Sequence, residues 1–230
     1  MLIETKNRNK LEKLNRSIIK CKKCSRLVKF RKKISQNKRK QYINENYWAK
    51  PITGFGDKNG KILFVGLAPA AHGGTRTGRV FTGDKSSDFL YKCLYKANIS
   101  NQPTSTHIGD GLRLKNAYIT TALKCVPPDD KPLKIELNNC FNFFDREINN
   151  LKNLKVIVAL GKIAFDACVY FYKTNYNFKS KIKFQHDKIY KLTDKVLLVG
   201  CYHPSPRNVN TGRINEKKMT NLFKKIIKLV

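Results

Sequence analysis

Four short apolar runs constrain this chain's fold more than any other feature: KILFVGL (61–67), AYITTAL (117–123), VIVAL (156–160) and VLLV (196–199). Each is continuous rather than alternating, the pattern of a strand buried on both faces. Helical spacing fills the segments between them. Over 86–97, Phe89, Leu90, Cys93 and Leu94 share a face, and further helices are expected over 136–151, 162–172 and 216–229. Such alternation predicts an α/β fold, a mostly parallel sheet covered on both faces by helices. In sheets of this kind ligands bind beyond the carboxyl ends of the strands. The loops 66–84, 124–128 and 200–213 all leave such ends, so they should converge on one edge.

No repeat and no linker divides the 230 residues, and a single domain over 1–230 is expected. Its first part, 1–46, reads as a helical and basic segment. Leu11, Leu14, Ile18 and Ile19 form an apolar stripe, Cys21-Lys22-Lys23-Cys24 follows, and KFRKKISQNKRKQ (29–41) is strongly basic. The stretch 47–60 is turn chemistry, with Pro51, Gly54, Gly56, Asp57 and Gly60. With 47 Lys and Arg against 16 Asp and Glu, the net charge is +31. Part of this excess reflects a lysine-rich composition; the rest suits a polyanionic partner, with nucleic acid foremost. No apolar run spans a membrane and the first 20 residues lack a secretory core, so a cytoplasmic protein without membrane contact is expected. Neither G-x-G-x-x-G nor G-x-x-x-x-G-K-[ST] follows a strand, which argues against a nucleotide-binding enzyme of doubly wound type.

In a reducing compartment seven cysteines call for metal or burial rather than disulfides. Cys21 and Cys24 form a CxxC, and Cys125 lies just past a strand, ahead of Cys140. Two pairs make four ligands, enough for zinc or for a four-iron cluster in a structural role. Cys93, Cys168 and Cys201 sit in apolar patterns and read as small core residues.

YWAKPITGFGD (47–57), GLAPAAHGGTRTGRVFTGD (66–84), KCVPPDDKP (124–132) with Cys140 after it, and HPSPRNVNTGR (203–213) occur in this order. Together they are similar to the family 5 (type B) uracil-DNA glycosylases of the iron–sulfur group, a resemblance running from Cys21 to the last helix. It implies a three-layer α/β/α sandwich, a 4Fe-4S cluster on Cys21, Cys24, Cys125 and Cys140, and removal of uracil from DNA by a monomer. Thr75 and Asp130 stand where the family pattern has Asn, and position 121 is Thr, which excludes base recognition by an Asn there. A base spectrum extending to hypoxanthine and xanthine is therefore expected.

On that resemblance the residues take roles. Gly66, Ala68, Pro69, Ala70, His72, Gly73 and Thr121 would surround a flipped base, with the backbone close to its carbonyls and Phe81 as a stacking plate. His203 would polarise the base O2 as a neutral imidazole. Asp84 would orient the attacking water or, equally, cap the next helix; Asp88 would only complement its dipole. Arg76 and Arg79 would hold phosphates, joined by Ser205, Arg207, Asn208, Asn210, Thr211 and Arg213. The rival from another class is a non-catalytic nucleic-acid-binding module with a structural metal, which leaves His203 and the long first loop without a task.

Overall fold

The computed structural model describes residues 2–230, with side chains from residue 10 onward. In chain order the elements are α1 (Leu2–Ile19), α2 (Ser25–Gln36), β1 (Phe55–Gly56), β2 (Ile62–Gly66), α3 (Gly74–Thr77), α4 (Lys85–Lys96), β3 (Ala117–Thr121), α5 (Lys134–Asn150), β4 (Val156–Leu160), α6 (Lys162–Tyr176), β5 (Ile189–Lys191), β6 (Leu197–Cys201), α7 (Pro206–Asn210) and α8 (Glu216–Ile227). The sheet order is β1-β3-β2-β4-β6-β5. β3, β2, β4 and β6 are parallel; β1 and β5 add antiparallel edges.

The continuous apolar runs are explained by a covered layer on each side. Ile62 and Phe64 face one layer with α4 and α8, whereas Leu63 and Val65 face the other with α1, α5 and α6. On β4, Val156 and Val158 likewise oppose Ile157 and Ala159. This is the three-layer α/β/α arrangement. Leu11, Leu14 and Ile18 of α1 are buried as the stripe predicted. Among the described residues no helix is long and apolar enough to cross a membrane.

Two charged groups inside the fold are paired. Lys124, at the end of β3, meets Glu147 of α5 with both side chains buried. Thr120 Oγ1 also donates to that carboxylate at 2.6 Å, and the Gly54 N–H at 3.0 Å. The pair locks β3, α5 and the turn before β1 together, immediately ahead of Cys125.

The basic run 29–41 is not a plain solvated strip. Most of it lies in α2, where Leu27, Arg31 and Ile34 form a buried face. Four residues apart and then three, they follow a helical period that the surrounding Lys and Arg obscure.

Candidate active site and candidate metal centre

The loops after β2, β3 and β6 meet at the carboxyl edge of the sheet as expected. They enclose a cavity of about 230 Å³, on the scale of one nucleobase. Its walls are Leu67, Ala68, Ala70, Phe81, Asp84, Ser86, Asp130 and His203. A more apolar cleft between α5 and α6, around Leu137, Phe141, Ile163 and Tyr170, holds neither His203 nor Asp84.

Phe81 is buried with φ 47°, a left-handed conformation that bulky residues rarely adopt. The strain turns its ring under the cavity, where it lies against Gly66 and 6.1 Å from the His203 ring. A Cβ at Gly66 would stand 2.7 Å from Phe81 Cζ, so glycine here gives the ring its seat. His203 follows β6, and its carbonyl accepts from Asn208 Nδ2 at 2.9 Å. Burial lowers the His203 imidazole to about 4. The ring is therefore neutral at physiological pH and able to donate one hydrogen bond.

Asp84 is the helix cap expected of it, and it also lines the cavity. Its Oδ1 accepts from the backbone N–H groups of Ser86 (2.9 Å) and Ser87 (3.0 Å), capping α4. Its Oδ2 has no hydrogen-bond partner among the described residues and packs on Gly73, where a Cβ would come within 1.9 Å of it. Burial raises the carboxyl above its ordinary range, against the pull of the two backbone donors. One oxygen caps while the carboxyl also lines the cavity. Asn is as good a cap as Asp, so Asp84→Asn should leave the melting temperature nearly unchanged. If Asp84 also acts on the reaction, the same variant slows single-turnover excision about 100-fold; equal excision rates would leave it the cap alone.

Other expected residues fall into three groups. Ala68, Ala70 and Phe81 form the wall. Gly66, Pro69, Gly73 and Thr121 are buried behind it, shaping rather than lining the cavity. His72 faces a neighbouring cleft, where its Nδ1 pairs with Tyr47 Oη at 2.9 Å. Asp130, which in the sequence is only a departure from the family pattern, is a wall residue that no local signal marks. Its left-handed φ of 55° at the end of the KCVPPDDKP turn carries it to the rim.

The two arginines are corrected. Arg79 is buried and directed inward: Nη1 and Nη2 donate to the Asp110 carboxylate at 2.8 and 2.6 Å, and Nε to Thr82 Oγ1 at 2.9 Å. Burial would raise Asp110, but the bidentate guanidinium holds it well below the usual carboxylate range. Arg76 is also buried, donating to the carbonyls of His72 (2.7 Å) and Gly83 (2.8 Å), pairing with Glu45 and lying over the Tyr42 ring. These groups brace the loop; a sequence cannot distinguish a bracing arginine from a phosphate-facing one when the partner acid lies 31 positions away, as both Asp110 and Glu45 do. Ser205 and Asn208 are engaged too, Ser205 capping α7 and Asn208 holding His203. Arg207, Asn210, Thr211 and Arg213 are exposed, and none of them lines the cavity.

Cys21, Cys24, Cys125 and Cys140 line one cavity between α2, α5 and the turn after β3, walled by Leu27, Leu123 and Phe143. Hydrogen-bond donors point at the sulfurs: Lys124 N–H to Cys140 at 3.3 Å and Asn139 Nδ2 to Cys24 at 3.7 Å. Among the described residues no three of His, Cys, Asp or Glu converge on one point fit for a single ion. The four cysteines line the one cavity together, and four thiolates are a donor set of the kind an iron–sulfur cluster takes. Cys93, Cys168 and Cys201 are buried in the core as expected.

The Uracil DNA glycosylase superfamily profile matches residues 53–228. A type-5 uracil-DNA glycosylase of Thermus thermophilus is 42% identical over 197 residues, covering 86% of this chain and 88% of the relative. The chain belongs to the type-5 uracil-DNA glycosylases. One from Mycobacterium leprae is 36% identical over 220 residues, 95% of each chain. A type-4 uracil-DNA glycosylase of Archaeoglobus fulgidus is more distant, 28% identical over 155 residues, 67% of this chain and 70% of the relative. Membership of the type-5 family accounts for the order of the four motifs and for the sheet edge on which they meet.

Proposed function

We propose that this protein is a DNA repair glycosylase that hydrolyses the N-glycosidic bond of deoxyuridine in DNA, releasing uracil and leaving an abasic site. The observation that carries the reading is the base-sized cavity with a neutral, half-buried His203 in its wall, in a chain of the type-5 family. The nucleotide leaves the duplex and its base enters over Phe81. As the bond to the sugar breaks, negative charge grows on the base and positive charge on the sugar. A hydrogen bond from the His203 imidazole stabilises the first, and a carboxylate at Asp84 favours the second and orients water. No proton transfer to the imidazole is needed.

Uracil is the principal base, and the small Ala68 and Ala70 leave space for hypoxanthine and xanthine. A panel of oligonucleotides carrying each base, treated with alkali after incubation, should show strand breaks at uracil. Intact strands for all three would overturn the function.

The DNA backbone is held by exposed cations rather than by Arg76 and Arg79. Lys85 and Arg39 border the cleft that shares Asp84 with the base cavity, and Arg207 and Arg213 are exposed on the loop that follows His203. Lys85→Gln should weaken DNA binding and reduce the slope of log K against log salt by about 0.9 if it neutralises one phosphate. An unchanged slope would remove Lys85 from the interface.

The four cysteines around one cavity support a 4Fe-4S cluster, whose chemistry here is to crosslink α2, β3 and α5. Residues 37–49, which follow α2, fold onto the base loop: the Trp48 and Ala49 N–H groups donate to the carbonyls of Arg76 (2.9 Å) and Thr75 (3.0 Å). Pro51, just past this segment, lines the cysteine cavity, which would link a metal centre there to the support of the base loop.

A further inference from the structure

Arg31 sits in the middle of the buried face of α2 and is only 6% exposed. Its neighbour Arg26, one turn earlier, has a carboxylate: Nε and Nη2 bind Glu136 at 2.7 Å each. Arg31 has none. Nη1 donates to Cys125 Sγ at 2.9 Å and Nη2 to the Cys21 carbonyl at 3.3 Å, and no acidic side chain among the described residues pairs with it. Removing a guanidinium from water without an opposite charge is costly, and arginine cannot escape the cost by deprotonating. A fold that buries it against a sulfur of the four-cysteine cavity must supply negative charge at that sulfur.

We propose that Arg31 is the positioning and charge-compensating residue of the metal centre, held against Cys125 to balance the anionic metal–thiolate group and to fix α2 across it. The inference rests on the reading of the four cysteines as metal ligands. Its geometry is economical: one side chain touches Cys125, the third of the four cavity cysteines, through Sγ and Cys21, the first, through its carbonyl, so it joins the CxxC to the turn after β3. Lys124 cannot do the same, because its ammonium is already neutralised by Glu147 and only its backbone N–H reaches Cys140. Outer groups that hydrogen-bond to metal ligands change metal retention by about 10- to 100-fold when removed.

The experiment measures metal per chain by elemental analysis on purified full-length protein, then the half-life of the bound metal under excess chelator. Wild type should hold its metal. Arg31→Gln should lose it at least about tenfold faster, Arg31→Lys should recover part of the lifetime by restoring the charge, and Lys33→Gln, one charge removed from the exposed face of α2, should match wild type. Where Arg31→Gln does not fold, Arg31→Met keeps the apolar stem and should show the same loss. Wild-type lifetime in Arg31→Gln, or a Lys variant no better than Gln, would overturn the role of Arg31 while leaving the centre in place. A wild-type protein that holds no metal would overturn the centre itself, and Arg31 with it.

Discussion

His203→Ala should lower the single-turnover rate of uracil excision by about 10²–10³-fold, the cost of losing one preorganised donor to a developing anion. The loss appears in the chemical step and not in DNA affinity, because His203 lies inside the cavity and contacts no exposed surface cation. Its pH signature separates it from a general acid. With the imidazole lowered to about 4 by burial, the group is neutral above about pH 5, so its contribution is flat from there to pH 8. A proton-donating imidazolium would instead give a rate that falls as pH rises through its pKa. His203 also bears on stability with a definite sign. Between about 4 and the ordinary 6.5 the unfolded chain binds a proton that the folded chain refuses. Stability therefore falls as pH drops through that window, and His203→Gln should lack this component in melts at pH 5 against pH 7. A full wild-type excision rate in His203→Ala would remove the residue from the mechanism.

Arg79→Ala should destabilise the protein by about 3 kcal/mol, because Asp110 loses its opposite charge and keeps only backbone donors such as the Thr106 and Leu112 N–H groups. At this chain length that corresponds to a fall in melting temperature of roughly 10 °C. The guanidinium also fixes Ser105 through Nη2 at 2.9 Å, and the Ser105 carbonyl accepts the Gly83 N–H beside Asp84 at 2.8 Å. The base loop should consequently loosen together with the fold. The companion variant Asp110→Asn tests the same pair from the other side, and the double variant should cost less than the sum of the two. A variant with an unchanged melting temperature but weaker DNA binding would return Arg79 to the phosphate interface.

These two residues show what a sequence makes legible. His203 could be placed because a strand end, a Pro-Ser turn and the sheet-edge rule all act within a few residues of it. The same holds for the parallel core strands, whose continuous apolar runs have one physical cause, helices on both faces. Asp84 was legible as a cap for a similarly local reason. Arg79 and Arg76 were misjudged because their partners, Asp110 and Glu45, are distant in sequence; an arginine in a loop has the same local pattern whether it meets a carboxylate or solvent. β1 and β5 leave no signal in the sequence, because strands of two or three residues carry no periodicity. Arg31 was hidden for the opposite reason: the helical period was present, but a cation occupied one of its buried positions. Asp130 reaches the cavity by a left-handed turn, which spacing alone does not predict.

The central claim is that uracil leaves DNA in the cavity between Phe81, Asp84 and His203. The most direct measurement is the free base released from a duplex with one deoxyuridine, quantified by mass spectrometry under excess protein, with the strand assayed in parallel. One uracil per duplex and a matching abasic strand are expected, with both signals suppressed together in His203→Ala. A duplex that is bound and left intact, with no uracil released by the wild-type protein, would contradict it.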